Sequence, residues 1–223
     1  IIEGVMPEII VMETVTEVVR HNVYHDFVSH LKNLGYHVSE NNVSCVDYGI
    51  PQKRKCQIVL SSRLGPIDLL SKTHETPVTV REAIGHLPHI ESGEVDPTDQ
   101  LHRAAKLSDV KMKRIKASVA GGAWRDWPEE LRIGARRKAS GATCASVYRR
   151  MEWDKPAPTM TTQCYGFGNG RFGHPEQDRA ISLREAAIFQ TYPEDYVFFD
   201  ENKPLSCASV GRMIGNSVPV RLG

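Results

Sequence analysis

The chain has 223 residues, of which 40% are apolar and 25% charged, and its formal net charge is +1. These values exclude a wholly disordered, a collagen-like or a coiled-coil protein, and no run approaches the 18 apolar residues of a membrane span. The five cysteines are scattered and form no Cys-x-x-Cys pair, which predicts a reducing compartment, no disulfide framework and no metal site.

The charge is distributed unevenly along the chain. Residues 102–155 hold 14 Lys and Arg against 6 Asp and Glu, so this segment carries a net +8 and the remainder a net −7. Such asymmetry within a nearly neutral chain indicates either a surface that faces a polyanion or an ordinary solvated basic face.

The N-terminal part has the pattern of an α/β protein. Residues 8–12 form a short apolar run, which predicts a strand buried on both faces, as in a parallel sheet. Thr16 is a candidate N-cap for the following amphipathic helix, and Gly35 is expected at its C′ position. Residues 43–47 and 57–61 are both strand-like.

The pattern changes after the third predicted strand. Gly and Pro are frequent over residues 64–154 and periodicity is weak, which predicts a loop-rich segment that is either α+β or mainly β. Ser182 followed by Glu185 is the signature of a capping box at the start of a helix. Residues 211–219 are interpreted as a helix end, a glycine turn and the start of a new element.

Five segments, taken in order, resemble the later motifs of the DNA (cytosine-5)-methyltransferase family. The resemblance covers essentially the whole chain, and a variable basic segment lies where the family carries one. The segments are residues 11–15, which resemble a Glu-Asn-Val motif; 52–56, which resemble Gln-x-Arg-x-Arg; 155–162, which resemble Arg-Pro-x-Pro-Thr-x-Thr; 170–187, which continue that motif; and 215–219, which resemble the final Gly-Asn-Ser-Val-Pro motif.

The resemblance implies an α/β fold with two parts. Residues 1–63 and 181–223 are expected to form the C-terminal part of a Rossmann-like, S-adenosylmethionine-dependent methyltransferase domain, which is truncated in its last motif. Residues 64–180 are expected to form a small, loop-rich, mainly β target-recognition domain together with its organising segment.

The resemblance also implies the chemistry and the residues that perform it. The family transfers a methyl group from S-adenosylmethionine to C5 of a cytosine flipped out of duplex DNA. Glu13 matches the carboxyl group that acts at N3 of the base, and Arg54 matches a catalytic arginine. Asn216, Ser217 and Val218 match the cofactor-binding motif. Arginines and lysines of the basic segment are expected to contact DNA, namely Arg114, Arg132, Arg136, Arg137, Lys138, Arg149 and Arg150.

The chain lacks two parts of the family pattern and departs from it at two positions. None of its cysteines follows a proline, as the family's nucleophile does, and no glycine-rich turn follows an N-terminal strand. Both features precede residue 1 in the family's order, so we expect a missing N-terminal half, in cis or in trans, and no activity of this chain alone. Thr14 stands where the family has Asn, and Cys56 where it has the second Arg, which predicts a slow enzyme.

These departures leave two alternative interpretations open. The chain is then either the DNA-recognition subunit of a split methyltransferase or a catalytically inactive DNA-binding remnant. The favoured interpretation is a prokaryotic or phage methylase, cytoplasmic and associated with double-stranded DNA, either from a restriction–modification system or solitary, with no membrane or metal partner.

Overall fold

The computed structural model describes residues 1–132, 147–200 and 202–223. Two compact units are present: unit 1 comprises residues 1–49 and 54–76, and unit 2 comprises residues 50–53 and 77–223. The division predicted from the sequence, with a recognition domain at residues 64–180, stays a prediction. The helices and strands of the described residues are α1 (Ile2–Val5), β1 (Ile9–Val15), α2 (Asn22–Asn33), β2 (His37–Ser44), β3 (Lys55–Ser62), α3 (Val80–Ile84), α4 (Asp109–Lys116), α5 (Leu183–Phe189) and α6 (Cys207–Asn216).

The three strands of unit 1 form one sheet in the order β1-β3-β2. β3 is antiparallel to both neighbours, so β1 and β2 run in the same direction, as a strand–helix–strand unit requires. The parallel-sheet environment predicted for the strand at residues 8–12 is therefore wrong for its pairing with β3. β1 is also not buried on both faces, because it ends the strand order and leaves Ile9 and Val11 52% and 64% exposed.

α2 covers one face of this sheet. Its buried Tyr24 and Val28 pack against Val59 of β3, as the helical spacing of apolar residues predicts. Thr16 is not its N-cap, because a 3-10 turn occupies Thr16–Arg20 before the helix begins. Gly35 has a φ of +84°, which confirms the predicted left-handed C′ position.

The described part of residues 64–180 is loop-rich, as predicted, but the mainly β content expected for the recognition domain is wrong for the residues that the structure describes. Within the described part of residues 64–180 there are short helices, 3-10 turns and isolated bridges, and no strand. The physical reason is that long side chains satisfy backbone carbonyl groups here in place of a β ladder. Arg150 alone donates to the carbonyl oxygens of four residues.

α5 begins with the capping box that the sequence predicts. The Ser182 hydroxyl accepts a hydrogen bond from the Glu185 amide, and the Glu185 carboxylate accepts one from the Ser182 amide. Glu185 is buried, and its carboxylate also accepts hydrogen bonds from both terminal nitrogens of Arg179, at 2.8 and 2.7 Å. A capping side chain therefore also neutralises a buried cation.

α6 differs from the predicted glycine turn. Gly211 and Gly215 both lie inside this helix, one turn apart. A β-carbon at Gly215 would overlap the backbone of Thr161 and Thr162, and one at Gly211 would meet the Tyr165 ring. Both glycines allow α6 to pack closely against neighbouring residues. The predicted glycine turn is therefore wrong, because Gly215 lies within the helix. No helix among the described residues is both long and apolar enough to span a bilayer.

Candidate functional site

Glu13 and Arg54, the two predicted catalytic residues, meet in unit 1. Glu13 lies in β1, opposite Ile58 of β3, and Arg54 immediately precedes β3. An Arg54 terminal nitrogen lies 3.1 Å from Glu13 Oε1, and the two side chains are only 14% and 13% exposed. The pair fixes the direction of the carboxylate at a place where little water competes.

Two buried thiols extend this cluster. Arg54 Nε donates to Cys56 Sγ at 3.4 Å, and Cys56 is hydrogen-bonded to Cys45; both cysteines are fully buried. The bond from Cys45 lowers the pKa of Cys56, and the same bond, with burial, raises the pKa of Cys45. Burial acts to lower the pKa of Arg54, but its bond to Cys56 and the charge of Glu13 outweigh burial and raise it. Cys56 occupies the position of the second Arg in the family pattern, and its thiol accepts a hydrogen bond that helps to hold Arg54, the first Arg, in place.

Two buried glutamines hold unit 2 together where three motifs meet. Gln52 donates to Phe189 O at 2.8 Å and to Gln190 Oε1 at 2.6 Å, and accepts from the Met160 amide at 3.1 Å. Gln190 in turn donates to Ile214 O at 2.6 Å and Ser217 O at 3.1 Å. Sequence reasoning missed Gln190 and this role of Gln52, because their partners lie up to 138 residues away.

The predicted cofactor-binding residues Asn216, Ser217 and Val218 lie next to the contacts that Gln190 makes with the end of α6. Asn216 ends α6 with an exposed side chain, and Val218 is half-buried. The Ser217 hydroxyl donates to Ile214 O at 2.8 Å and lies 3.2 Å from the donating Gln190 Nε2. Asn216 therefore offers an amide donor and acceptor to a ligand, whereas the Ser217 hydroxyl is engaged inside the unit.

Arg150 is not available to DNA, and its prediction as a DNA-binding residue is corrected. Its side chain is 6% exposed. It donates to the carbonyl oxygens of Ile115, Ser118, His174 and Gln177 and pairs with Asp178. A guanidinium group with this many internal acceptors is a structural element, which the sequence could not reveal because its partners come from two separate segments.

Arg114, Arg132 and Arg149 are half-buried, and each donates through Nε to a backbone carbonyl group. The acceptors are Leu131 at 2.8 Å, Trp127 at 3.0 Å and Gly121 at 2.6 Å. Arg132 also donates through a terminal nitrogen to Arg125 O at 2.8 Å. Arg136, Arg137 and Lys138, also predicted to bind DNA, lie outside the described residues.

The aromatic side chains interleaved with these arginines form a core. Trp124 and Trp127 are buried, and Phe167 packs with them. The Arg114 guanidinium lies 5.6 Å from the Trp127 ring centroid and 5.7 Å from that of Tyr148. Among the described residues, no group of three His, Cys, Asp or Glu side chains is arranged to hold a metal ion.

Comparison with known sequences gives a consistent result over the whole chain. The sequence profile of a family described as C-5 cytosine-specific DNA methylase matches residues 1–223. The chain is 51% identical to the Type II methylase M.HgiDII of Herpetosiphon aurantiacus over 228 aligned positions, which include all of this chain and 64% of that protein. It is 30% identical to the Type II methyltransferase M1.HphI of Haemophilus parahaemolyticus, covering 98% of this chain and 55% of that protein. The chain thus spans less than two thirds of these relatives.

Comparison with solved structures supports the same fold. A DNA modification methyltransferase encoded within an Escherichia coli prophage superposes with a TM-score of 0.70 at 17% identity, covering 99% of this chain and 68% of that one. The Dnmt2 methyltransferase of Schizosaccharomyces pombe superposes with a TM-score of 0.60 at 15% identity, covering 97% of this chain and 64% of that one. At these identities the superpositions establish the fold alone.

Proposed function

The chain belongs to the C-5 cytosine-specific DNA methylase family, and we propose that it is the C-terminal portion of a DNA (cytosine-5)-methyltransferase. The complete enzyme transfers a methyl group from S-adenosylmethionine to C5 of a cytosine flipped out of duplex DNA. The nucleophilic cysteine and the glycine-rich cofactor loop come from the part of the protein that precedes residue 1.

The observation that carries this proposal is the Glu13–Arg54 pair. Two residues 41 positions apart, each chosen from a separate motif, lie 3.1 Å from each other with little exposure. Glu13 hydrogen-bonds to the N3 edge of the cytosine, where charge develops when the cysteine adds to C6. Arg54 holds the carboxylate in direction and supplies positive charge beside the base.

The C-terminal segment fits a cofactor that has polar and apolar parts. S-adenosylmethionine supplies an electrophilic methyl group when it is bound. The exposed amide of Asn216 can both donate to and accept from its polar groups, and half-buried Val218 offers an apolar contact. Ser217, whose hydroxyl bonds within the unit, acts by holding these two neighbours in place.

Replacing the Glu13 carboxylate in the complete protein tests the proposal. Glu13→Gln keeps the shape but removes the acid and the ion pair with Arg54, so the rate of methyl transfer to DNA should fall by roughly 100- to 1,000-fold. The rate is measured with isotopically labelled S-adenosylmethionine and a mixed-sequence duplex that contains many recognition sites. Glu17→Gln changes an exposed carboxylate four residues after Glu13, in the 3-10 turn that follows β1; it is the matched control and should keep the wild-type rate.

Melting temperature and DNA affinity of both variants are measured in parallel. A Glu13→Gln protein that folds, binds DNA and methylates at the wild-type rate would contradict the catalytic assignment. If the complete wild-type protein transfers no methyl group to DNA, the proposed function itself is wrong.

A further inference from the structure

Two adjoining cavities on unit 2 are lined by basic side chains. They have volumes of about 300 and 70 Å³ and share Lys53, Pro158 and Arg171 as lining residues. Arg149 and Lys155 line the smaller of the two. Together they form one surface, the basic groove, defined by Lys53, Arg149, Lys155 and Arg171. Of these four, only Arg149 belongs to the set that the sequence predicts to bind DNA.

Backbone hydrogen bonds hold the wall that carries Lys53. The Lys53 amide donates to Ala157 O at 2.8 Å, and the Ala157 amide donates to Pro51 O at 2.9 Å. The Thr159 hydroxyl donates to Lys53 O at 3.2 Å. Lys53 therefore projects from a fixed strip of backbone rather than from a free loop.

The opposite wall, which carries Arg149 and Arg171, is held in the same way. The Gly173 amide donates to Arg149 O at 3.0 Å, and the Met151 amide donates to Gly173 O at 2.9 Å. The Arg149 side chain is anchored at Nε by Gly121 O at 2.6 Å. The two walls are thus held by backbone hydrogen bonds, so little backbone freedom is lost when a ligand binds between them.

The charges of the basic groove are incompletely neutralised. Lys53 and Arg171 are exposed, and neither takes part in an ion pair with another described residue. Lys155 pairs with Glu152 at 2.7 Å, and Glu152 is the one acidic residue in the described lining of the groove. Four cations against one anion leave the groove with an excess of positive charge, which attracts polyanions.

We propose that the basic groove binds backbone phosphates of duplex DNA, with Lys53 and Arg171 as the two main contacts. The proposal rests on the function proposed above and adds residues that lie outside the predicted recognition set. An Arg fork and a Lys ammonium group suit phosphate oxygens and carry no sequence information there. The groove therefore orients the protein on the duplex, while other residues read the bases.

The salt dependence of DNA binding tests this proposal. Each phosphate contact contributes about 0.9 to the slope of log affinity against log salt on B-DNA. In the complete protein, Lys53→Ala combined with Arg171→Ala should lower the slope by about 1.8 and weaken binding on the order of 100-fold at 50 mM KCl. Affinity is measured by fluorescence anisotropy with a labelled 30-base-pair duplex from 50 to 200 mM KCl, since phosphate contacts do not require the recognition sequence.

A charge-matched variant separates a specific contact from a general loss of charge. Lys106→Ala combined with Lys203→Ala removes two exposed cations of unit 2 that do not line the groove. This control should keep the wild-type slope. Melting temperatures of all three proteins are compared first, to show that the variants fold. The proposal is overturned if the groove variant keeps the wild-type salt slope, or if the control variant loses as much slope as the groove variant. Absence of DNA binding by the wild-type protein would instead refute the proposed function.

Discussion

His174 is a buried, neutral histidine at the centre of unit 2. Its Nδ1 accepts hydrogen bonds from the backbone amides of Glu176 and Gln177, at 3.2 and 2.9 Å, and its ring meets Trp153 edge to face. Burial lowers the pKa of His174 to about 3, against a weaker opposite effect of the Glu185 charge. Protonation would require Nδ1 to give up both amide donors, so the folded state disfavours the cation.

This histidine predicts a loss of stability in mild acid. The unfolded chain takes up a proton near pH 6.5 and the folded chain near pH 3, so the free energy of unfolding falls by about 1.4 kcal/mol per pH unit between these values. Burial opposes ionisation of Glu185, but Arg179 holds the pKa of Glu185 at about 2, so its stabilisation is lost only below about pH 4.5. The loss of stability predicted between pH 6.5 and pH 4.5 therefore comes from His174 and not from Glu185.

Replacing His174 with a residue that does not titrate isolates this effect. His174→Asn keeps an acceptor for the two amides, and its melting temperature should fall less than that of the wild type between pH 7.5 and 5.0. His86→Asn removes an exposed histidine of the same unit and serves as the control with wild-type pH dependence. A pH dependence shared by all three proteins would contradict the assignment.

At the scale of elements, the glycines of α6 determine how closely this helix approaches the segment at residues 160–165. An Ala in place of an interior helical Gly ordinarily stabilises a helix by about 1 kcal/mol. At Gly215 the added methyl group would overlap the backbone of Thr161 and Thr162, which cannot move aside as a flexible side chain can. Gly215→Ala should therefore destabilise the protein instead of stabilising it, and should lower the free energy of unfolding by about 1–3 kcal/mol.

The measurement is the melting temperature of the complete protein, with Ser209→Ala as an exposed control on the same helix. The control should melt at the wild-type temperature or slightly above it. Because α6 leads into Asn216, Gly215→Ala should also raise the KM for S-adenosylmethionine more than the KM for DNA. A Gly215→Ala protein that melts above the wild type would show that the helix has room here.

Local signals in the sequence predicted the elements that depend on neighbours in the chain. The Ser182–Glu185 capping box and the C′ glycine at Gly35 were readable because their partners lie within four residues. The local pattern predicts a turn at Gly215, because the backbone that this glycine packs against is more than 50 residues away. The antiparallel position of β3 between β1 and β2 likewise depends on strand pairing, which the hydrophobic pattern of a single strand does not encode.

The same distinction applies to the candidate site. The motifs identified Glu13 and Arg54, whose contact the structure contains at 3.1 Å. They gave no indication that the Cys56 thiol accepts a hydrogen bond from Arg54, because the family pattern has a different residue at this position. The resemblance, which places the target-recognition region in the basic segment, predicts Arg150 as a DNA contact. The structure buries Arg150, because a basic side chain can bind an internal carbonyl group as well as a phosphate.

At the scale of the whole molecule, the outer side of β1 bears apolar side chains without cover. Ile9, Val11 and Val15 alternate along the strand and are all exposed. Alternating exposed apolar residues on a strand that ends the sheet order form a surface onto which further structure packs. We expect the remainder of the proposed enzyme to cover this surface.

Two forms of the protein test this arrangement. The isolated 223-residue chain should bind a hydrophobic dye such as ANS and self-associate, and Val11→Lys should reduce both because it places a charge on the exposed strand. In the complete protein the same substitution should lower the melting temperature, since the lysine would be buried there without a partner. Val23→Lys, on the exposed side of α2, should leave the melting temperature of the complete protein unchanged. A sharp cooperative melt of the isolated chain without dye binding would mean that β1 needs no covering structure.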